Sequence, residues 1–136
     1  MIRKYSLAKD GAKLLAPDFK VRELRCRDGS DTVMVDDALM LLLQCIREHF
    51  GKAVTITSGY RTPAHNAKAG GTRFSQHLYG RAADIRVQGA SVEEVAACAE
   101  RLLHGCGGVG RYPAKAGRVA GWVHVDTRAE KARWRG

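Results

Sequence analysis

The chain has 136 residues, enough for a single domain whose core needs neither disulfides nor a structural metal. Its 45% hydrophobic content excludes a disordered chain. Lys and Arg number 23 against 14 acids, a formal charge of +9, which favours anionic partners such as acidic cell-wall polymers. The basic residues are scattered rather than blocked and no nucleic-acid motif accompanies them, so nucleic acid is not the expected partner.

Residues 1–34 are polar and read as an irregular N-terminal segment packed on the domain. A short helix is expected within residues 7–15 and a turn at Asp28-Gly29-Ser30-Asp31. Met1-Ile2-Arg3-Lys4 is basic, but no apolar stretch follows it. The expectation is a chain made in the cytoplasm without a signal peptide, reaching a cell wall only after release. The longest apolar run, residues 38–43, is far below the ~20 needed to span a bilayer. Membrane insertion is therefore not expected, and a monomer is.

Leu39, Leu42, Leu43, Ile46 and Phe50 recur at helical spacing, predicting a helix over 36–50 that Asp36 or Asp37 caps and Gly51 ends. Residues 54–57 read as a strand. Thr62-Pro63 is an N-cap followed by a first-turn proline, opening a short helix to about residue 68. A second strand is expected over 82–87. Ser91-Val92-Glu93-Glu94 is a capping box that opens a helix to about Leu103. Strands are then expected from Gly107-Gly108-Val109-Gly110 and over 122–127. Helices and strands interspersed in this way predict one α+β domain over 1–136, a small, mainly antiparallel sheet flanked by helices.

Cys26, Cys45, Cys98 and Cys106 form no C-x-x-C pair, and Cys45 and Cys98 fall within the amphipathic helix patterns. Free thiols are expected, with a zinc–cysteine site or a disulfide as the alternatives. His49 and His104 lie near helix C-termini, where they favour the helix dipole. His65 reads as an exposed helix residue, and Trp122 and Trp134 as core anchors rather than a carbohydrate platform.

The segment Ser75-Gln76-His77-Leu78-Tyr79-Gly80-Arg81-Ala82-Ala83-Asp84 brings a His and an Asp near each other around a glycine turn. Later comes His124-Val125-Asp126, whose first and third residues face the same side of a strand. Two imidazoles and a carboxylate suit a hydrolytic zinc, which uses three protein ligands and keeps one position open. Such chemistry also needs a base and a cation. Asp126 is the candidate base, the alternative being a partner that orients His124. Arg61, in Ser58-Gly59-Tyr60-Arg61-Thr62, is the candidate cation, the alternative being a structural salt bridge.

The segments S-G-Y-R-T, S-Q-H-L-Y-G-R-A-A-D and W-V-H-V-D resemble the signature segments of the zinc D-Ala-D-Ala carboxypeptidases. This group also holds lysostaphin-type enzymes and the hedgehog zinc domain, and the similarity is greatest to short phage and prophage members. The family pattern S-x-H-x-x-G-x-A-x-D matches at Ser75, His77, Gly80, Ala82 and Asp84, and the resemblance runs over about residues 15–134. It implies a hedgehog/DD-peptidase-like fold with one Zn2+ per chain held by His77, Asp84 and His124. It further implies Arg61, Ser75 and Tyr60 at the substrate cleft. Many members place a catalytic Glu three residues before the last ligand, where this chain has Gly121; members ending in H-x-D use the Asp, which corresponds to Asp126. The implied activity is hydrolysis of peptidoglycan stem peptides, as a D,D-carboxypeptidase or an endolysin-like endopeptidase. The alternative is a non-catalytic zinc-binding module on the same fold.

Overall fold

A computed structural model describes residues 1–136. Its centre is a five-stranded sheet of β5 (Val54–Ser58), β6 (Ala82–Val87), β7 (Gly108–Tyr112), β8 (Trp122–Asp126) and β9 (Ala132–Arg135), in the order β5-β6-β8-β7-β9. Every pairing is antiparallel except β7 with β9. The helices α2 (Asp37–Phe50), α3 (Pro63–Lys68) and α4 (Val92–Leu103) fall where spacing and caps predict them. The Ser91–Glu94 capping box is complete: Ser91 Oγ accepts from the Glu94 amide at 3.1 Å, and the Glu94 carboxylate accepts from the Ser91 amide at 3.0 Å. All four cysteines are free.

The period of two along the strands separates the sheet into two faces with different chemistry. Ala83, Ile85 and Val87 on β6, Val109 on β7, and Val123 and Val125 on β8 join the hydrophobic core. Leu39, Leu43 and Ile46 of α2 and Val95, Ala96 and Ala99 of α4 belong to that same cluster. The intervening residues, Asp84 on β6, Gly108 and Gly110 on β7, and His124 and Asp126 on β8, face the other way. The register aligns them, pairing Asp84 with His124, Gly110 with His124, and Gly108 with Asp126.

Residues 1–34 are not irregular. β1 (Ile2–Ser6) pairs antiparallel with β4 (Thr32–Asp36), α1 (Leu7–Asp10) follows β1, and β2 (Leu14–Ala16) pairs with β3 (Phe19–Lys20). Phe19, Val21, Leu24, Val33 and Val35 enter the core from this segment. Strand β1 carries no alternating apolar pattern because it is mostly exposed or half-buried, and its partner lies some thirty residues away. Strand β9 is likewise absent from the sequence reading, because the run Ala132-Arg133-Trp134-Arg135 buries none of its side chains fully.

Asp36 joins this N-terminal part to the sheet. Its carboxylate accepts from Ala38 at the start of α2, from the N-terminal amine at 3.2 Å and from Thr127 Oγ at 2.8 Å. Its amide donates to the Gly80 carbonyl at 2.8 Å. Gly80 closes the 3-10 turn Gln76–Tyr79 at φ 70°, and a Cβ there would meet the backbone of Met34 and Val35. Left-handed backbone strain of ~1–2 kcal/mol and overpacking of ~1–3 kcal/mol both oppose a side chain at this position. Gly80→Ala is therefore expected to lower stability by about 2–5 kcal/mol in urea unfolding, whereas Gly89→Ala, left-handed but with open space around it, loses only about the strain contribution.

Candidate metal centre

His77, Asp84 and His124 converge on the polar face of the sheet, and all three are buried. One ligand atom from each lies within 4.8 Å of the others. His77 Nε2 is 3.3 Å and His124 Nδ1 is 3.1 Å from Asp84 Oδ1. The two imidazole rings are 5.1 Å apart and nearly perpendicular rather than stacked.

The backbone delivers His77 to this place. Ser75 caps the 3-10 turn by accepting from the His77 amide, and the Arg61 amide donates to the His77 carbonyl. His77 Nδ1 lies 2.8 Å from the Gly59 carbonyl, which can only accept. Nδ1 therefore carries the proton, and the Nε2 lone pair is left facing Asp84. His124 is set the opposite way round: its Nε2 lies 2.7 Å from Asp126 Oδ2, which leaves Nδ1 as the donor atom. Each ring thus has its outer nitrogen held by the protein and its inner one turned toward Asp84, the arrangement a metal-ligating histidine requires. Two imidazoles and one carboxylate match the donor set of a divalent, zinc-like ion.

Burial works against an ionised Asp84, but the His124 and His77 rings beside it outweigh burial and hold the carboxyl well below the usual range. Asp126 is also buried against its charge, and the bonds from His124 and Arg128 depress it in the same way. Burial alone would make His124 harder to protonate; the bonds to Asp126 and Asp84 reverse this and raise its pKa above the ordinary histidine value.

The cleft above these ligands has a volume of about 470 Å³ and is lined by Arg61, Ser75, His77, Asp84, His124 and Arg128, with an aromatic wall of Tyr112, Trp122 and Trp134. Arg61 donates from Nε to Ser58 Oγ at 3.0 Å, from Nη1 to Asn66 Oδ1 at 3.3 Å and from Nη2 to Asp84 Oδ2 at 3.4 Å. It both borders the cleft and holds Asp84, one of the three candidate ligands. Tyr60 is buried and lines no part of the cleft; its amide donates to the Leu24 carbonyl. Trp122 and Trp134, expected as core anchors, are half-buried in the cleft wall instead, Trp122 stacked on Tyr112 at 4.9 Å.

Asp126 shares a strand face with His124 as expected, but its carboxylate does not reach the cleft. It is fully buried behind His124, accepting from the Gly108 amide at 2.9 Å and from Arg128 Nε and Nη2 at 2.9 and 2.6 Å. A Cβ at Gly108 would collide with this carboxylate, and one at Gly110 would meet the Trp134 ring at 2.5 Å. The glycines of Gly107-Gly108-Val109-Gly110 thus make room for Asp126 and Trp134. Sequence reasoning missed Asn66, Arg128 and Trp134 as parts of this site. The one available signal was position: Arg128 follows Asp126 by two residues.

Residues 17–126 match the family described as Peptidase M15. The chain belongs to this peptidase family. It is 29% identical to the probable peptidoglycan L,D-endopeptidase MepK of Haemophilus influenzae, over 98% of this chain and 71% of that protein. No helix is long and apolar enough to cross a membrane.

Two outcomes follow for metal binding. Asp126→Asn is isosteric but weakens the hold on His124, so zinc affinity is expected to fall on the order of 10- to 100-fold. Competition with a chromogenic chelator measures this; unchanged affinity with lost turnover would return Asp126 to the role of base. His124 must also shed its proton to donate Nδ1. Because its pKa is raised above the ordinary histidine value, a divalent ion competes with this proton already near neutral pH, and affinity should fall as the pH is lowered, by up to about tenfold per pH unit for this one group.

Proposed function

We propose that the protein is a zinc-dependent peptidase that hydrolyses the stem peptides of peptidoglycan. The observation that carries this reading is the buried His77–Asp84–His124 set at the floor of an open cleft, with the outer nitrogen of each histidine already committed. The family supports peptide hydrolysis, and the name of the Haemophilus relative supports peptidoglycan as substrate and an endopeptidase as the form of activity. The formal charge of +9 suits an anionic wall.

His77, Asp84 and His124 would hold the zinc, which when bound supplies Lewis-acid polarisation and hydrolytic chemistry near neutral pH. Arg61 keeps three of its five N–H groups on Ser58, Asn66 and Asp84 and has two left to stabilise negative charge developing on the peptide oxygen. Ser75 offers its hydroxyl at the cleft edge. Asp126 acts as a positioning residue, fixing the tautomer and angle of His124.

A second reading, a non-catalytic zinc module, draws on one observation: Asp84 is the only carboxylate that lines the cleft. Digestion of purified peptidoglycan with the zinc-loaded protein, followed by mass analysis of the fragments, separates the two. New peptide termini, absent with His77→Ala and with chelator, are expected; intact peptidoglycan alongside stoichiometric zinc would establish the module instead. The masses also decide between loss of a terminal D-alanine and cleavage within a cross-link.

A further inference from the structure

Arg61 is not the most available cation in the cleft. Its side chain is only 14% exposed and each of its three nitrogens has a protein partner. Arg128 is different: its Nε and Nη2 are paired with Asp126, its side chain is 32% exposed, and its Nη1 has no protein partner. The pairing orients the guanidinium plane, so the free edge is presented in a fixed direction. Trp134 supports that plane from below, its ring centroid 5.4 Å from the guanidinium carbon. Trp134 is itself held: its Nε1 donates to Tyr112 Oη at 2.8 Å, and its ring lies 5.0 Å from His124. Arg128 therefore lines the cleft wall beside Trp134, whose ring neighbours the candidate ligand His124.

Resting on the reading of the site as a peptidase, we propose that Arg128 is a specificity-determining residue that binds a carboxylate of the substrate, separate from the peptide bond being cut. A pre-oriented guanidinium loses little freedom on binding, and its planar donors match a carboxylate. Trp134 offers a flat apolar surface beside it for the rest of the acidic residue. The cleft's only lining acid, Asp84, is bonded to the ligand histidines and to Arg61, so nothing in the lining competes for Arg128. The substrate class is an acidic peptide whose free carboxylate lies within one residue's reach of the scissile bond.

The test uses peptides released from purified peptidoglycan, one batch with native carboxylates and one amidated with carbodiimide and ammonium. Zinc-saturated wild type, Arg128→Gln and Lys52→Gln are compared; Lys52 is an exposed residue remote from the cleft and controls for the lost charge. Wild type and Lys52→Gln should prefer the native peptides in kcat/KM, and Arg128→Gln should lose on the order of 10- to 100-fold of that preference, chiefly through KM. Arg128→Lys should recover part of it. An unchanged preference in Arg128→Gln, or none in wild type, overturns the proposal. If wild type cleaves neither batch, the peptidase reading fails. Calorimetric binding of the native peptides to the zinc-loaded protein then decides the subsite alone: weakening of at least tenfold in Arg128→Gln upholds it, and equal or absent binding overturns it.

Discussion

Burying ionised groups is the constraint that shapes this molecule. Two carboxylates and two imidazoles lie side by side on one sheet face, largely out of water, and an unpaired ion there costs several kcal/mol. The chain answers with alternation. Arg128, Asp126, His124, Asp84 and Arg61 follow one another so that each carboxylate lies between donors and the central ring lies between two carboxylates. Removing any member takes a partner from a buried neighbour and raises the cost of its burial. The surrounding backbone is fitted to this row: the Gly108 amide completes Asp126, and the Gly59 carbonyl completes His77.

The same row explains why the sheet has two unlike faces. Valines and isoleucines on β6, β7 and β8 point toward α2 and α4 and supply the apolar burial that stabilises the domain. Their neighbours in sequence are then free to be polar, because the period of two sends them to the opposite side. Stability and chemistry thus occupy alternate positions of the same strands. A shift of one residue in the β6–β8 register would exchange them, and the pairing of Ala83 with Val125 and Ile85 with Val123 that fixes the core also fixes Asp84 opposite His124.

Much of this was legible in the sequence, and the reasons are local. The helix α2 carries five apolar residues at helical spacing, α4 a capping box, and α3 a Thr-Pro start, all of which act within one turn. The candidate set of His77, Asp84 and His124 was legible mainly through the resemblance of its segments to a known family, because two histidines and an acid at such spacing are only moderately specific by themselves. What stayed hidden depends on partners far along the chain. Strands β1 and β9 have little apolar pattern and exist because a distant strand offers a ladder. The place of Asp126 behind His124 rather than beside the cleft follows from three groups closing around it: the Gly108 amide, the Arg128 guanidinium and the His124 ring. Strand alternation gives the side on which a residue lies and says nothing of how deep it lies.

The order of the strands also has a consequence for how the protein folds. Asp84 and His124 meet only through a ladder between residues 40 apart, and Thr127 reaches Asp36 across 91 positions. Closing such separations costs chain entropy before any contact compensates it, which places folding among the slower topologies, of the order of milliseconds to seconds. An ion arriving early finds at most His77 and Asp84 near each other in sequence, a weak chelate on a mobile chain. The third donor arrives with the finished sheet. The candidate metal site is in this sense a product of folding rather than its nucleus, and the chain must reach its native topology on hydrophobic burial and strand pairing alone.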